Sequence, residues 1–205
     1  MLAEAYNTAK TAVIAAGYAR DIDWQASRCF ANVSKVDFMA DLAWVIFCSG
    51  FRVEVIDRKW PVLTRIFYGW RPVAIIEHAA TCEDLALAQF GSRSKVKAVI
   101  AGAKRIEDEG YDALKKRVAA DPLNVLQEFD YIGPVTVYHL AKNMGLDYAK
   151  PDRHLVRMAQ AAGYDDVQQF CRGISDAAGD PVPVVDLVLW RYATLDRKYT
   201  KLFRK

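Results

Sequence analysis

The chain has 205 residues, 53% of them hydrophobic and 26% charged, with a formal net charge of +3. That length suits one ordinary domain or two small lobes, and that apolar content excludes a disordered segment; the charge is only mildly basic and by itself identifies no nucleic-acid protein. No apolar run approaches the roughly 18 residues of a membrane span, and residues 1–20 lack the charged start, apolar centre and cleavage site of a signal peptide. A soluble, cytoplasmic protein with no membrane partner is therefore expected.

In chain order, apolar residues recur at three- and four-residue spacing almost throughout. The spacing predicts helices over 2–19, 37–49, 53–67, 73–78, 82–88, 94–109, 111–119, 122–129, 135–144, 153–162, 167–178 and 184–195. No run alternates as a strand. Breaks fall at Gly69, Pro72, Gly91, Gly110, Asp121-Pro122, Gly163 and Gly179-Asp180-Pro181, and none is long enough to be a linker. An all-α fold is expected. Cys29, Cys48, Cys82 and Cys171 share no metal-ligand spacing, so no metal site is expected and most are read as buried thiols.

The stretch from Asp121 to Leu155 carries the most information. Asp121 suits an N-cap and Pro122 the first helical position; Asp130 to Pro134 must turn; Pro134 has no N–H to lose and Gly145 ends the next helix. Asp152 follows Pro151 and opens another helix, and seventeen positions separate it from Val135. A tight turn leading into a helix presents unpaired amides, here around Ile132, Gly133 and Val135, and the helix dipole adds to their attraction for phosphate. Such contacts position a nucleic-acid backbone without reading bases.

The hairpin Phe129-Asp130-Tyr131-Ile132-Gly133-Pro134-Val135-Thr136-Val137, with Asp152-Arg153-His154 at that spacing, resembles the helix-hairpin-helix DNA glycosylases. In that family the hairpin usually reads Leu-Pro-Gly-Val-Gly-Pro-Lys-Thr-Ala, and a catalytic aspartate starts a helix about seventeen residues after the lysine. Gly133, Pro134 and Thr136 match; Tyr131 replaces the first glycine and Val135 the lysine. The likeness extends upstream: Leu42 to Gly50 stands where the family has an apolar helix ending near a wedge glutamine, and Ser94-Lys95-Val96-Lys97-Ala98 looks like its Asn-Lys-Ala segment. It spans about residues 38–160, with low identity outside the hairpin.

The resemblance implies a two-lobed helix-hairpin-helix glycosylase fold with a cleft between lobes. A central lobe would cover 37–145, with the hairpin at 122–144, and a terminal lobe 1–36 plus 146–205. It also implies double-stranded DNA as partner, no cofactor and no obligate protein partner; a monovalent cation at the hairpin is a family possibility. Asp152 would stabilise positive charge on the sugar and activate water; its plain alternative is an N-cap. Valine at 135 cannot form the Schiff base that strand-nicking relatives make, so a monofunctional enzyme is expected. Lys142 and Lys150 are not at the matching position.

Phosphate contacts are assigned by the same resemblance to Ile132, Gly133, Val135, Thr136, Lys95 and Arg153. The wedge and base pocket fall to Ser49, Gly50, Phe51, Arg52, Trp44, Tyr131, Tyr138 and His139, with Phe51 or Arg52 filling the space of the flipped nucleotide. Most helical aromatics are core and His139 is more often structural, so two or three rings are expected on a base. Glu54, Asp57 and Asp186 are read as surface or helix-end carboxylates, with a pocket role as the alternative. Arg93, Lys97, Lys104, Lys115, Lys116, Arg117, Lys142, Lys150 and Arg157 are read as further DNA-facing charge, with ordinary solvated faces as the alternative. Gly50 and Val135 are small where relatives carry longer side chains, which tilts the expectation to a bulky hypermodified base, such as glucosylated hydroxymethylcytosine removed in antiphage defence. Repair of alkylated or oxidised bases is the alternative, and a non-catalytic DNA-binding module is another.

Overall fold

The computed structural model describes residues 2–204, and among them every regular element is helical. The helices are α1 (Leu2–Ala15), α2 (Ala19–Ser27), α3 (Lys35–Cys48), α4 (Val53–Ile66), α5 (Pro72–Glu77), α6 (Ala79–Phe90), α7 (Arg93–Glu109), α8 (Tyr111–Ala120), α9 (Pro122–Leu126), α10 (Thr136–Asn143), α11 (Arg153–Ala161), α12 (Val167–Ala178) and α13 (Val182–Leu195). Short 3-10 turns cover Phe30–Asn32, Tyr68–Trp70 and Tyr199–Phe203. No helix among the described residues is long and apolar enough to cross a membrane.

The chain divides into two compact units. One is Asn32–Leu140; the other joins the chain up to Ala31 with the chain from Ala141 onward. The division falls within α10.

The Asn32–Leu140 unit is built on α3 and α7. A reciprocal cap starts α3: Ser34 Oγ accepts from the Asp37 amide at 3.1 Å while the Asp37 carboxylate accepts from the Ser34 amide at 3.2 Å. Phe38, Leu42, Ile46 and Phe47 are fully buried, as are Val96, Val99 and Ile106 on α7. Each such side chain contributes about 1.5–3 kcal/mol of transfer free energy. A Cβ on Gly102 would lie 2.8 Å from Leu42 Cδ2, so the small residue sets how closely α7 approaches α3.

In the other unit α1 packs on α12 and α13, and α2 on α13. Tyr6, Val13, Met158, Phe170, Ile174, Val188 and Leu189 form the core. Lys10 Nζ pairs with Asp180 at 2.6 Å, and Tyr6 donates its hydroxyl to the same carboxylate.

Several expectations need correction. The helix predicted over 2–19 stops at Ala15, because Gly17 adopts φ +92°, and the chain restarts as α2. Neither α2 nor the turn Tyr199–Phe203 was expected. The helix from Pro122 ends at Leu126 instead of Phe129, and Asp121 makes no side-chain cap; its carboxylate accepts from Asn124 Nδ2 at 2.9 Å instead. Only Cys82 and Cys171 are buried, while Cys29 is exposed. Asp186, read as a surface or helix-end carboxylate, is buried.

Candidate nucleic-acid interface

The turn from Phe129 to Val137, between α9 and α10, lies in the Asn32–Leu140 unit. Pro134 brings no N–H, and the Gly133 carbonyl accepts from Val137 N at 2.9 Å to close the first turn of α10. Thr136 Oγ1 accepts from the Gly133 amide at 2.7 Å and donates to the Tyr131 carbonyl at 3.0 Å, tying the turn from inside. The Ile132 amide donates to Phe129 O at 3.1 Å. The Ile132 and Gly133 amides and the Thr136 hydroxyl are thus engaged within the turn. Of the three amides singled out, that of Val135 remains, on an exposed residue immediately before α10, where amides lack intrahelical acceptors.

Lys95, also expected on phosphate, is 5% exposed, and its ammonium donates to the carbonyl oxygens of Ile46, Phe47 and Ser49. The α3 helix has left those carbonyls without amide donors, and a buried ammonium needs acceptors; each supplies what the other lacks. Burial pushes Lys95 down to about 8, with Cys48 opposing the shift.

The expected wedge segment follows directly. Ser49 caps α3 and is half-buried; Gly50, Phe51 and Arg52 are exposed, with Gly50 at φ +75° and Arg52 at the start of α4. The Phe51 ring packs tilted on Phe90 with centroids 4.9 Å apart. Tyr131 is 40% exposed and donates to Ser94 Oγ at 2.6 Å. Trp44 is half-buried and meets Trp60 edge-on at 5.0 Å; Trp60 in turn stacks on Trp70 at 4.5 Å. Tyr138 and His139 are half-buried on α10. Phe51 and Tyr131 thus have exposed faces, whereas the Trp44 ring is engaged with another tryptophan.

Asp152 belongs to the other unit. It is half-buried and caps α11: Oδ1 accepts from the His154 amide at 2.8 Å and the Leu155 amide at 3.1 Å. Among the described residues no hydrogen bond reaches Oδ2. Arg153 is exposed, and its Nε lies 3.4 Å from His154 Nε2. His154 Nδ1 is 3.1 Å from the Tyr199 hydroxyl. Burial holds His154 below its usual range, helped by Arg153 and Arg157 and opposed by Asp152.

The loop before Asp152 is tied at consecutive residues. Gln168 exchanges two hydrogen bonds with the Ala149 backbone, accepting from its amide at 3.0 Å and donating to its carbonyl at 2.6 Å. The Lys150 amide donates to Asp186 Oδ2 at 2.7 Å, and Asp186 Oδ1 pairs with Lys142 Nζ at 2.8 Å. Burial raises the Asp186 carboxyl, while Lys142 and the Lys150 amide oppose the shift. Sequence reasoning missed Gln168 altogether, since one glutamine on an amphipathic helix carries no signal. Lys142, read as DNA-facing charge and weighed as a stand-in amine, instead buries its ammonium on Asp186. Among the described residues no group of three or more His, Cys, Asp or Glu side chains has the arrangement of a metal site.

No family model, no curated protein and no solved structure matches this chain.

Proposed function

We propose that this chain is a monofunctional DNA glycosylase of the helix-hairpin-helix kind, with that family's two-lobed fold, acting in the cytoplasm on double-stranded DNA. The observation that carries the reading is the pairing of a tight hairpin with an aspartate at the family spacing that opens a helix and leaves one carboxylate oxygen without a hydrogen bond. In the proposed reaction the target nucleotide leaves the stack and Phe51 enters the space. The bond from C1′ to the base nitrogen breaks as positive charge grows on the sugar. Asp152 stabilises that charge and takes the proton of the water whose oxygen bonds to C1′, and the base departs with the bond's electron pair.

Two features support a reaction that ends at the abasic site. Val135 offers no amine, and the Lys142 ammonium is held on a buried carboxylate. A bulky hypermodified base is the favoured substrate, because Gly50 and Val135 leave room where longer side chains would stand; alkylated or oxidised bases are the other candidates. One observation favours the rival reading of a non-catalytic DNA-binding module: Oδ1 of Asp152 already serves as an N-cap, which by itself explains an aspartate there.

The test is incubation of the protein with duplexes bearing alkylated, oxidised, deaminated, hydroxymethylated and glucosylated bases, scoring released base and strand breaks before and after alkali. The reading expects base release with breaks only after alkali. Binding of every duplex with no base released would favour the module.

A further inference from the structure

The first turn of α7 holds more than a lysine that caps a neighbouring helix. An ammonium has three N–H donors, and the carbonyls of Ile46, Phe47 and Ser49 account for all three at Lys95. Two aromatic rings nevertheless lie against the same nitrogen. Lys95 Nζ is 5.0 Å from the centroid of Phe51 and 5.3 Å from that of Tyr131, within the reach of cation–π attraction. Both rings are large apolar groups left exposed, at 45% and 40%.

Tyr131 is also held from a second side. Its backbone sits at φ +67°, a conformation that costs a bulky residue energy, and its hydroxyl is fixed on Ser94, the residue before Lys95. The loop after α3 and the turn before α10 are thereby both registered on two consecutive residues of α7. Every one of these contacts lies within Asn32–Leu140.

We infer that Lys95 is a positioning residue that registers Phe51 and Tyr131 as a paired aromatic wedge, two rings that enter the base stack together when a nucleotide leaves it. The ligand rests on the glycosylase reading above; the geometry does not. A single ring replaces the flipped base, and a second ring beside it stacks on the base that has lost its partner. With Lys95 near 8, its ammonium stays charged at neutral pH, so both attractions operate there.

The experiment uses the full chain and a duplex with 2-aminopurine in place of the target nucleotide, whose fluorescence rises as it leaves the stack. Saturating wild type should raise the signal severalfold. Phe51→Ala and Tyr131→Ala should each remove most of the rise, and the double variant little more, giving a coupling factor of about threefold or greater. Lys95→Met should lower the rise as the double variant does. If that variant does not fold, the cycle between Phe51 and Tyr131 in the wild-type background carries the test alone. Independent losses from the two rings, or a full rise with Tyr131→Ala, would overturn the pairing and leave the glycosylase reading standing. No rise and no binding by wild type would overturn both.

Discussion

Lys142 Nζ lies 2.8 Å from Asp186 Oδ1, with only 8% and 3% of the two side chains exposed. The second oxygen of the same carboxylate accepts from the amide of Lys150, two residues before Asp152. Removing one partner of a buried pair leaves the other charge uncompensated, a loss of about 3–5 kcal/mol. Asp186→Ala should therefore lower the urea midpoint sharply. Lys142→Met together with Asp186→Ala should cost less than the sum of the single changes, and additive losses would contradict the coupling.

Gly145 and Gly17 both adopt positive φ, yet they should respond differently to a side chain. A Cβ on Gly145 would stand 2.6 Å from the Arg28 carbonyl carbon and oxygen, whereas one on Gly17 would meet nothing within 4 Å. Gly17→Ala should cost only the left-handed conformation, about 1–2 kcal/mol. Gly145→Ala should cost clearly more, because the Arg28–Cys29 backbone must also move. Equal unfolding free energies for the two variants would contradict the close approach.

His154 sets a pH dependence whose sign follows from its lowered folded value. Between that value and the ordinary histidine value of about 6.5, the unfolded chain binds more protons than the folded one. Stability therefore rises with pH through this window and is lost as the pH falls through it. The Tm of His154→Gln should change less than that of wild type between pH 7 and pH 5.5. An unchanged slope would contradict the burial of the ring as its cause.

Position 135 is exposed, so Val135→Lys needs no repacking. With abasic-site DNA and borohydride, the glycosylase account expects this variant to form a trapped protein–DNA adduct through the new amine, and wild type to form none. Trapping of wild type would mean that another amine reaches the sugar.

The helical class and the turn between α9 and α10 were legible because Pro122, Pro134 and Gly145 act through local backbone constraints that one sequence displays. The pattern from Leu2 to Ala19 was read through Gly17, since apolar spacing continues across it even though the backbone turns there. Asp186 sits in the apolar run Val182–Leu195, which announces burial; its partner Lys142 is on another helix far away in sequence, and no local pattern links them. Lys95 shows the same limit. Among Arg93, Lys95 and Lys97, only the folded chain distinguishes the lysine that turns inward to carbonyl oxygens from the neighbours that remain exposed.

The central claim is that the charge of Asp152, beyond its capping bonds, performs chemistry. Asparagine caps helices about as well as aspartate, so Asp152→Asn keeps acceptors for the His154 and Leu155 amides and should fold and bind DNA as wild type does. The decisive measurement is the single-turnover rate of base release by this variant and by wild type, on the duplex that wild type processes fastest. The account predicts a loss of about 100-fold or more with binding unchanged; base release at the wild-type rate would reduce Asp152 to an N-cap and contradict it.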